Sequence, residues 1–174
     1  MAGGVLALDM SSRLGFALAR LPARPLTPLE MATIRPKQPM SGVVKFSGEV
    51  GPFLANFERW LNQMLDEHQP AGIAFESPIL PTITTPQTVM KLMGLASVLL
   101  MTCHKRRIGW VRQAQPATVK KFISGHGGKG KERVMAAIDS FGWRYQTDDE
   151  ADALALWCFA ADLYAVERAK ARAA

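Results

Sequence analysis

Hydrophobic positions along the chain fall into two kinds of run: short unbroken ones, and longer ones that recur every three or four residues. The first, GVLALD at 4–9, is apolar and ends on an acid, as a buried strand does. SSRLG makes a turn, and GFALARL at 15–21 predicts a second strand folded back on the first. Pro22, Pro25 and Pro28 mark a loop, after which LEMATIR at 29–35 alternates and predicts a third strand. An antiparallel meander is expected from these three.

From 48 to 69 the period becomes helical, with Phe53, Phe57, Trp60, Leu61, Met64 and Leu65 on one face. GIAFES at 72–77 predicts a buried central strand that also ends in an acid. A loop holding Pro78, Pro81 and Pro86 leads to a long helix at about 86–104, whose core stripe is Met90, Leu92, Met93, Ala96, Leu99, Leu100 and Cys103. IGWVRQ at 108–113 predicts another strand. A short helix, a glycine-rich turn, a helix at about 130–141 and a terminal helix complete the chain. There is no internal repeat, so residues 1–174 are expected to form one α/β domain: a mixed sheet with helices on its faces.

The terminal helix opens with TDDEADALAL at 147–156. Thr147 and Glu150 stand at capping-box spacing, and first-turn acids suit the positive end of a helix dipole. Asp149 and Asp152, however, share the face of Leu156, Phe159, Ala160 and Leu163, while Glu150 and Asp162 point elsewhere. Asp152 lies a turn inside the helix and is aimed along the buried stripe. A carboxylate there needs a cationic neighbour.

Composition narrows the classes. The chain has 174 residues, 48% of them hydrophobic, which suits a folded domain and excludes a disordered polypeptide. A formal charge of +6 favours an anionic partner. No apolar run stands out as a membrane span, the longest being GLASVLLM at 94–101, and no basic leader opens the chain; a cytoplasmic protein without membrane partners is expected. Cys103 and Cys158 lie in apolar helical patterns and read as buried thiols. His68, His104 and His126 form no ligand pair, which leaves hard cations bound through oxygen. If the strands ending in Asp9 and Glu76 are neighbours, their carboxylates emerge together, and the terminal helix can add Asp149 and Asp152.

Three of these segments, LALDMSSRLGFAL at 6–18, IAFES at 73–77 and DEADALAL at 149–156, resemble the RuvC-type Holliday junction resolvases of the ribonuclease H-like superfamily. A fourth, VKKFISGHGGKGKERV at 119–134, is similar to that family's lysine-bearing stretch. The resemblance implies a ribonuclease H-like fold, with a five-stranded sheet of three antiparallel strands followed by two parallel ones. It implies a structure-selective endonuclease that cuts four-way DNA junctions and leaves 5′-phosphate and 3′-hydroxyl ends. Asp9, Glu76, Asp149 and Asp152 would hold two Mg²⁺ or Mn²⁺ ions per site, since paired dications about 4 Å apart need shared anionic ligands. Lys120 and Lys131 would contact phosphates, Lys131 also stabilising transition-state charge. Lys121, Lys129 and Arg133 are further candidate backbone contacts.

GHGGKGK at 125–131 fits the start of a phosphate-binding P-loop, but Glu132 stands where a hydroxyl is required and the preceding segment reads as helix, so ATP binding is not expected. Members often carry an aromatic wedge soon after the second acid. Here SPILPTITTP follows Glu76, leaving Ile79 or Leu80 as apolar candidates. The proline-rich segment 22–45 looks expanded, which suits a phage or mobile-element relative. Gly94 and Ser97 leave a shallow second face on the long helix, where the family resemblance implies a homodimer. The competing readings are a less selective flap, fork or RNA-processing nuclease, a catalytically silent DNA-binding module, and a nucleotide-binding protein of the actin and sugar-kinase type, for which the chain lacks a second domain.

Overall fold

A computed structural model describes residues 3–80, 82–125 and 130–173, with no side-chain detail for 172 and 173. Five strands form one sheet in the order β3-β2-β1-β4-β5. They are β1 (Gly4–Asp9), β2 (Arg13–Arg20), β3 (Met40–Lys45), β4 (Gly72–Glu76) and β5 (Trp110–Ala114). β1, β2 and β3 pair antiparallel, and β4 and β5 continue the sheet in parallel from β1. The expected mixed sheet is therefore present.

The third strand is not where the alternation of LEMATIR puts it. That segment is a helix, α1 (Pro28–Ile34). Thr27 caps it: its hydroxyl accepts from the Glu30 N–H, the Glu30 carboxylate accepts from the Thr27 N–H, and Pro28 supplies a helical φ at the first position. Three satisfied cap features outweigh a seven-residue alternation. The strand itself is MSGVVK, a half-buried edge.

Helices cover both faces. α2 (Val50–His68) and α3 (Pro86–Lys105) press Phe57, Leu61, Leu95 and Leu99, all fully buried, onto the side chains of Leu6, Leu8 and Phe75. The opposite face carries α4 (Pro116–Ser124), α5 (Lys131–Ser140) and α6 (Asp148–Ala173), with α1 at the margin. α6 lies directly on β1 and β2 with α4 and α5 outside it, so no residue from Ala151 to Tyr164 is exposed. The sequence stripe describes only part of the buried surface: between Ala151 and Tyr164 residues on every face are buried or half-buried, and beyond that the helix emerges into solvent.

α3 differs from expectation in two ways. As a helix it is long and apolar enough, by length and composition alone, to cross a membrane, although only part of it is buried here. Its core stripe is Leu92, Leu95, Ala96, Leu99 and Cys103, whereas Met90, Met93 and Leu100 face outward. Gly94 belongs to the inside: a Cβ there would meet Leu54 of α2 at 2.7 Å, so this glycine serves α2–α3 packing and not an outer groove.

Candidate active site

β1 and β4 run parallel with Leu8 opposite Phe75, so Asp9 and Glu76 follow one step on and turn to the face that α6 covers. The apolar residues behind them bury the strands, and the acids emerge where the strands end. α6 brings Asp149 and Asp152 in its first two turns. Asp9 pairs with Gly15 across the β1–β2 ladder, and Gly15 admits the Asp149 backbone where any side chain would collide. Asp9, Glu76, Asp149 and Asp152 thus line one cleft of about 560 Å³, together with Lys120 and Lys131. Met10, Phe53, Ile79 and Leu92 give it an apolar wall.

Crowded, buried acids resist ionisation. Burial, then the charges of Asp152 and Asp149, pushes the Asp9 carboxyl up to about 7. Burial, then Asp9 and Asp152, pushes Glu76 up to about 8. Burial also raises Asp152, against the opposing pull of Lys120 and Lys131. Four carboxylates crowded at one cleft, two of them held protonated to near-neutral pH, have the donor chemistry of a hard-cation site.

Asp149 Oδ2 adds a geometric sign. Among the described residues this buried oxygen has no hydrogen-bond donor. An Arg13 guanidinium nitrogen lies 2.7 Å away and supplies charge without a well-aligned N–H. The donor set fits a divalent cation in type and charge, yet among the described residues no three acidic, imidazole or thiol groups close into a single ion cage.

The expected cations divide. Lys120 from α4 and Lys131 from the first turn of α5 face the acids, and Lys131 pairs with Asp148. Lys121 and Arg133 are exposed and do not line the cleft. Lys129, with most of the glycine-rich turn, lies outside the described residues. The segment before that turn is helical, α4, as the argument against a P-loop requires.

Three residues at the site were not expected from sequence. Arg13 opens β2 beside Asp149, and Asp148 bonds Lys131. Lys91, on α3, lines the far wall with its Nζ 5.3 Å from the Phe53 ring centre. Glu150, expected to point away, is 8% exposed and accepts from the Ser41 hydroxyl at 2.7 Å and the Gln146 N–H at 2.9 Å. Thr147 accepts from the Glu150 N–H as a cap should, but the returning carboxylate serves Gln146 and ties α6 to β3.

Comparison with known proteins bears on the family and the fold. Residues 8–159 match the family model of the crossover junction endodeoxyribonuclease RuvC. The chain is 30% identical over 158 residues to that enzyme from Rickettsia akari, covering 87% of this chain and 92% of the relative. It is 35% identical over 123 residues to the one from Streptomyces griseus, covering 66% of this chain and 57% of the relative, so it spans just over half of that protein. The Thermus thermophilus RuvC structure superposes with a TM-score of 0.73 at 19% identity, over 94% of this chain and 96% of that one. The same bacterial protein in complex with a Holliday junction substrate gives 0.72 at 19% identity, again over 94% and 96%. These relatives lend no support to a phage or mobile-element origin. The chain belongs to the RuvC family of crossover junction endodeoxyribonucleases.

Proposed function

We propose that this chain is a Holliday junction resolving endonuclease that hydrolyses phosphodiesters in branched DNA. The observation that carries the reading is the convergence of four carboxylates, from β1, β4 and α6, with Lys120 and Lys131 around one cleft. A protein that only bound DNA would gain nothing from negative charge placed against a phosphate. A Holliday junction complex of the Thermus relative supports the choice of substrate.

In this reading Asp9, Glu76, Asp149 and Asp152 hold two Mg²⁺ or Mn²⁺ ions. When bound, such ions supply Lewis acidity at the scissile phosphate and offset the charge of the four acids. Lys120 and Lys131 hold the phosphates on either side of the cut, and Lys131 stabilises charge developing on the phosphoryl oxygens. Water oxygen bonds to phosphorus, the bond to the 3′ oxygen breaks, and that oxygen takes up a proton, leaving 5′-phosphate and 3′-hydroxyl ends.

A second copy docks on the outward stripe of α3, where Met90, Met93 and Leu100 are about half exposed and spaced along one face. A two-fold dimer suits a substrate that must be nicked on two strands. Cytoplasmic DNA is the substrate pool.

Purified protein with Mg²⁺, four-way junctions, flaps and linear duplexes tests the proposal. Paired symmetric nicks confined to the junction are expected, and none from the Asp9→Asn variant. Equal cutting of flaps, or cutting by the variant, overturns it.

A further inference from the structure

Two charged side chains at the cleft, Arg13 and Asp148, play no part in the reaction outlined above, yet each is ion-paired to a residue that does. Arg13 opens β2, and a guanidinium nitrogen lies 2.7 Å from Asp149 Oδ2 and 3.7 Å from Asp148 Oδ1. Asp148 gives its other oxygen to the Lys131 ammonium. The four side chains form an alternating row: Asp149, Arg13, Asp148, Lys131. Its members come from β2, α5 and the first turn of α6.

The Arg13 end of this row is loosely built. A guanidinium presents its donors in a fixed fork that matches a carboxylate. Here, among the described residues, the buried Asp149 Oδ2 receives charge but no hydrogen bond. Arg13 and Asp148 are also partly open to solvent, with side chains 44% and 38% exposed, so both can move without disturbing the core. The row neutralises, with the chain's own charges, the two groups that would otherwise meet a cation and a phosphate. This also accounts for an acid-rich cleft that, among the described residues, does not close into an ion cage.

We propose that Arg13 and Asp148 are exchangeable counter-ions of the unloaded site. Arg13 holds Asp149 until a divalent cation takes that carboxylate, and Asp148 holds Lys131 until a DNA phosphate takes that ammonium. This rests on the reading of Asp149 as a metal ligand. Both are positioning residues: they keep their partners turned into the cleft and leave them when the site fills.

The test uses the full chain and two probes, Mn²⁺ followed by calorimetry and a labelled four-way junction in EDTA followed by anisotropy. Arg13→Gln is expected to bind Mn²⁺ about tenfold more tightly, the scale on which a unit charge opposes a dication across a hydrated cleft. Arg13→Lys keeps the charge and should stay near wild type. Asp148→Asn is expected to bind the metal-free junction more tightly, with a log-log salt slope steeper by about one, because Lys131 is released to a phosphate.

Lowered thermal stability with unchanged Mn²⁺ and metal-free junction affinities would mean a fixed strut between β2 and α6, and overturns the proposal. If Arg13→Gln does not fold, the Asp148→Asn junction measurement decides. Asp149→Asn separates this from failure of the underlying reading. Wild-type Mn²⁺ binding that survives Asp149→Asn removes the metal site itself, whereas binding lost there and unaltered in Arg13→Gln removes only the counter-ion role.

Discussion

Gly15 and Asp149 meet so closely that a Cβ on the glycine would stand 2.1 Å from the Asp149 carbonyl oxygen. Because Gly15 also pairs with Asp9, this one contact seats the head of α6 beside the end of β1. Backbone cannot yield as a side chain can. Gly15→Ala is expected to cost about 3 kcal/mol and to displace the acids of α6 from those of the strands. Urea unfolding in EDTA and junction cleavage, measured together, check it; a full-activity variant with an unchanged midpoint would refute the seating role.

Asp9 is buried among other acids, so removing its charge relieves the fold while, on the proposed function, removing a metal ligand. Asp9→Asn is expected to lose junction cleavage by about a hundred- to a thousandfold, the scale for one preorganised electrostatic group. Junction binding in EDTA should persist, and the metal-free variant should unfold no more easily than wild type at pH 8. Lost binding, or easier unfolding, would place Asp9 in the scaffold.

Burial and the neighbouring acids push Asp9 up to about 7 and Glu76 up to about 8 in the folded chain, from ordinary values of 3.8 and 4.5. Between those limits the folded chain keeps protons that the unfolded chain has released. Metal-free stability is therefore largest below the ordinary values and falls as pH rises through about 7 to 8, by on the order of a few kcal/mol. Saturating Mg²⁺ should remove most of that slope, because the cation replaces the protons. Unfolding midpoints at pH 5.5 and 8.5, with EDTA or Mg²⁺, provide the comparison.

Lys120 faces the acids from α4. Lys120→Ala is expected to weaken junction binding at low salt and to reduce the log-log salt slope by about one, one phosphate contact being lost. Identical salt titrations for the variant and wild type would take Lys120 out of the interface.

The outward stripe of α3 is where a charge should be felt by a partner and not by the fold. Leu100 is 49% exposed, so Leu100→Glu should leave the unfolding midpoint within about 0.5 kcal/mol of wild type while converting dimer to monomer. Sedimentation equilibrium reads the mass directly, and paired nicking should give way to single nicks.

The parts of the site that could be read in the sequence are those written locally. GVLALD and GIAFE are short apolar runs, each closed by an acid, and their pairing follows once both are strands. The α1 helix was equally legible: Thr27, Pro28 and Glu30 spell a helix start that a brief alternation hid. β3 was harder, because a half-buried edge strand has little hydrophobic pattern to show. Arg13 and Asp148 had no local sign at all. Their significance arises only when β2 and α6, far apart in the chain, are laid side by side. α3 offered two apolar faces, and only packing against α2 decides which of them is inside.

The enclosure of α6 from Ala151 to Tyr164 sets how this enzyme can change. A rod packed this closely cannot bend freely, nor can the alanines at 151, 153, 155, 160 and 161 grow without lifting it from the sheet. Variation in the chemistry of the cleft must therefore enter through the groups that reach toward the rod's head from outside, while the rod acts as a fixed anvil on which they work.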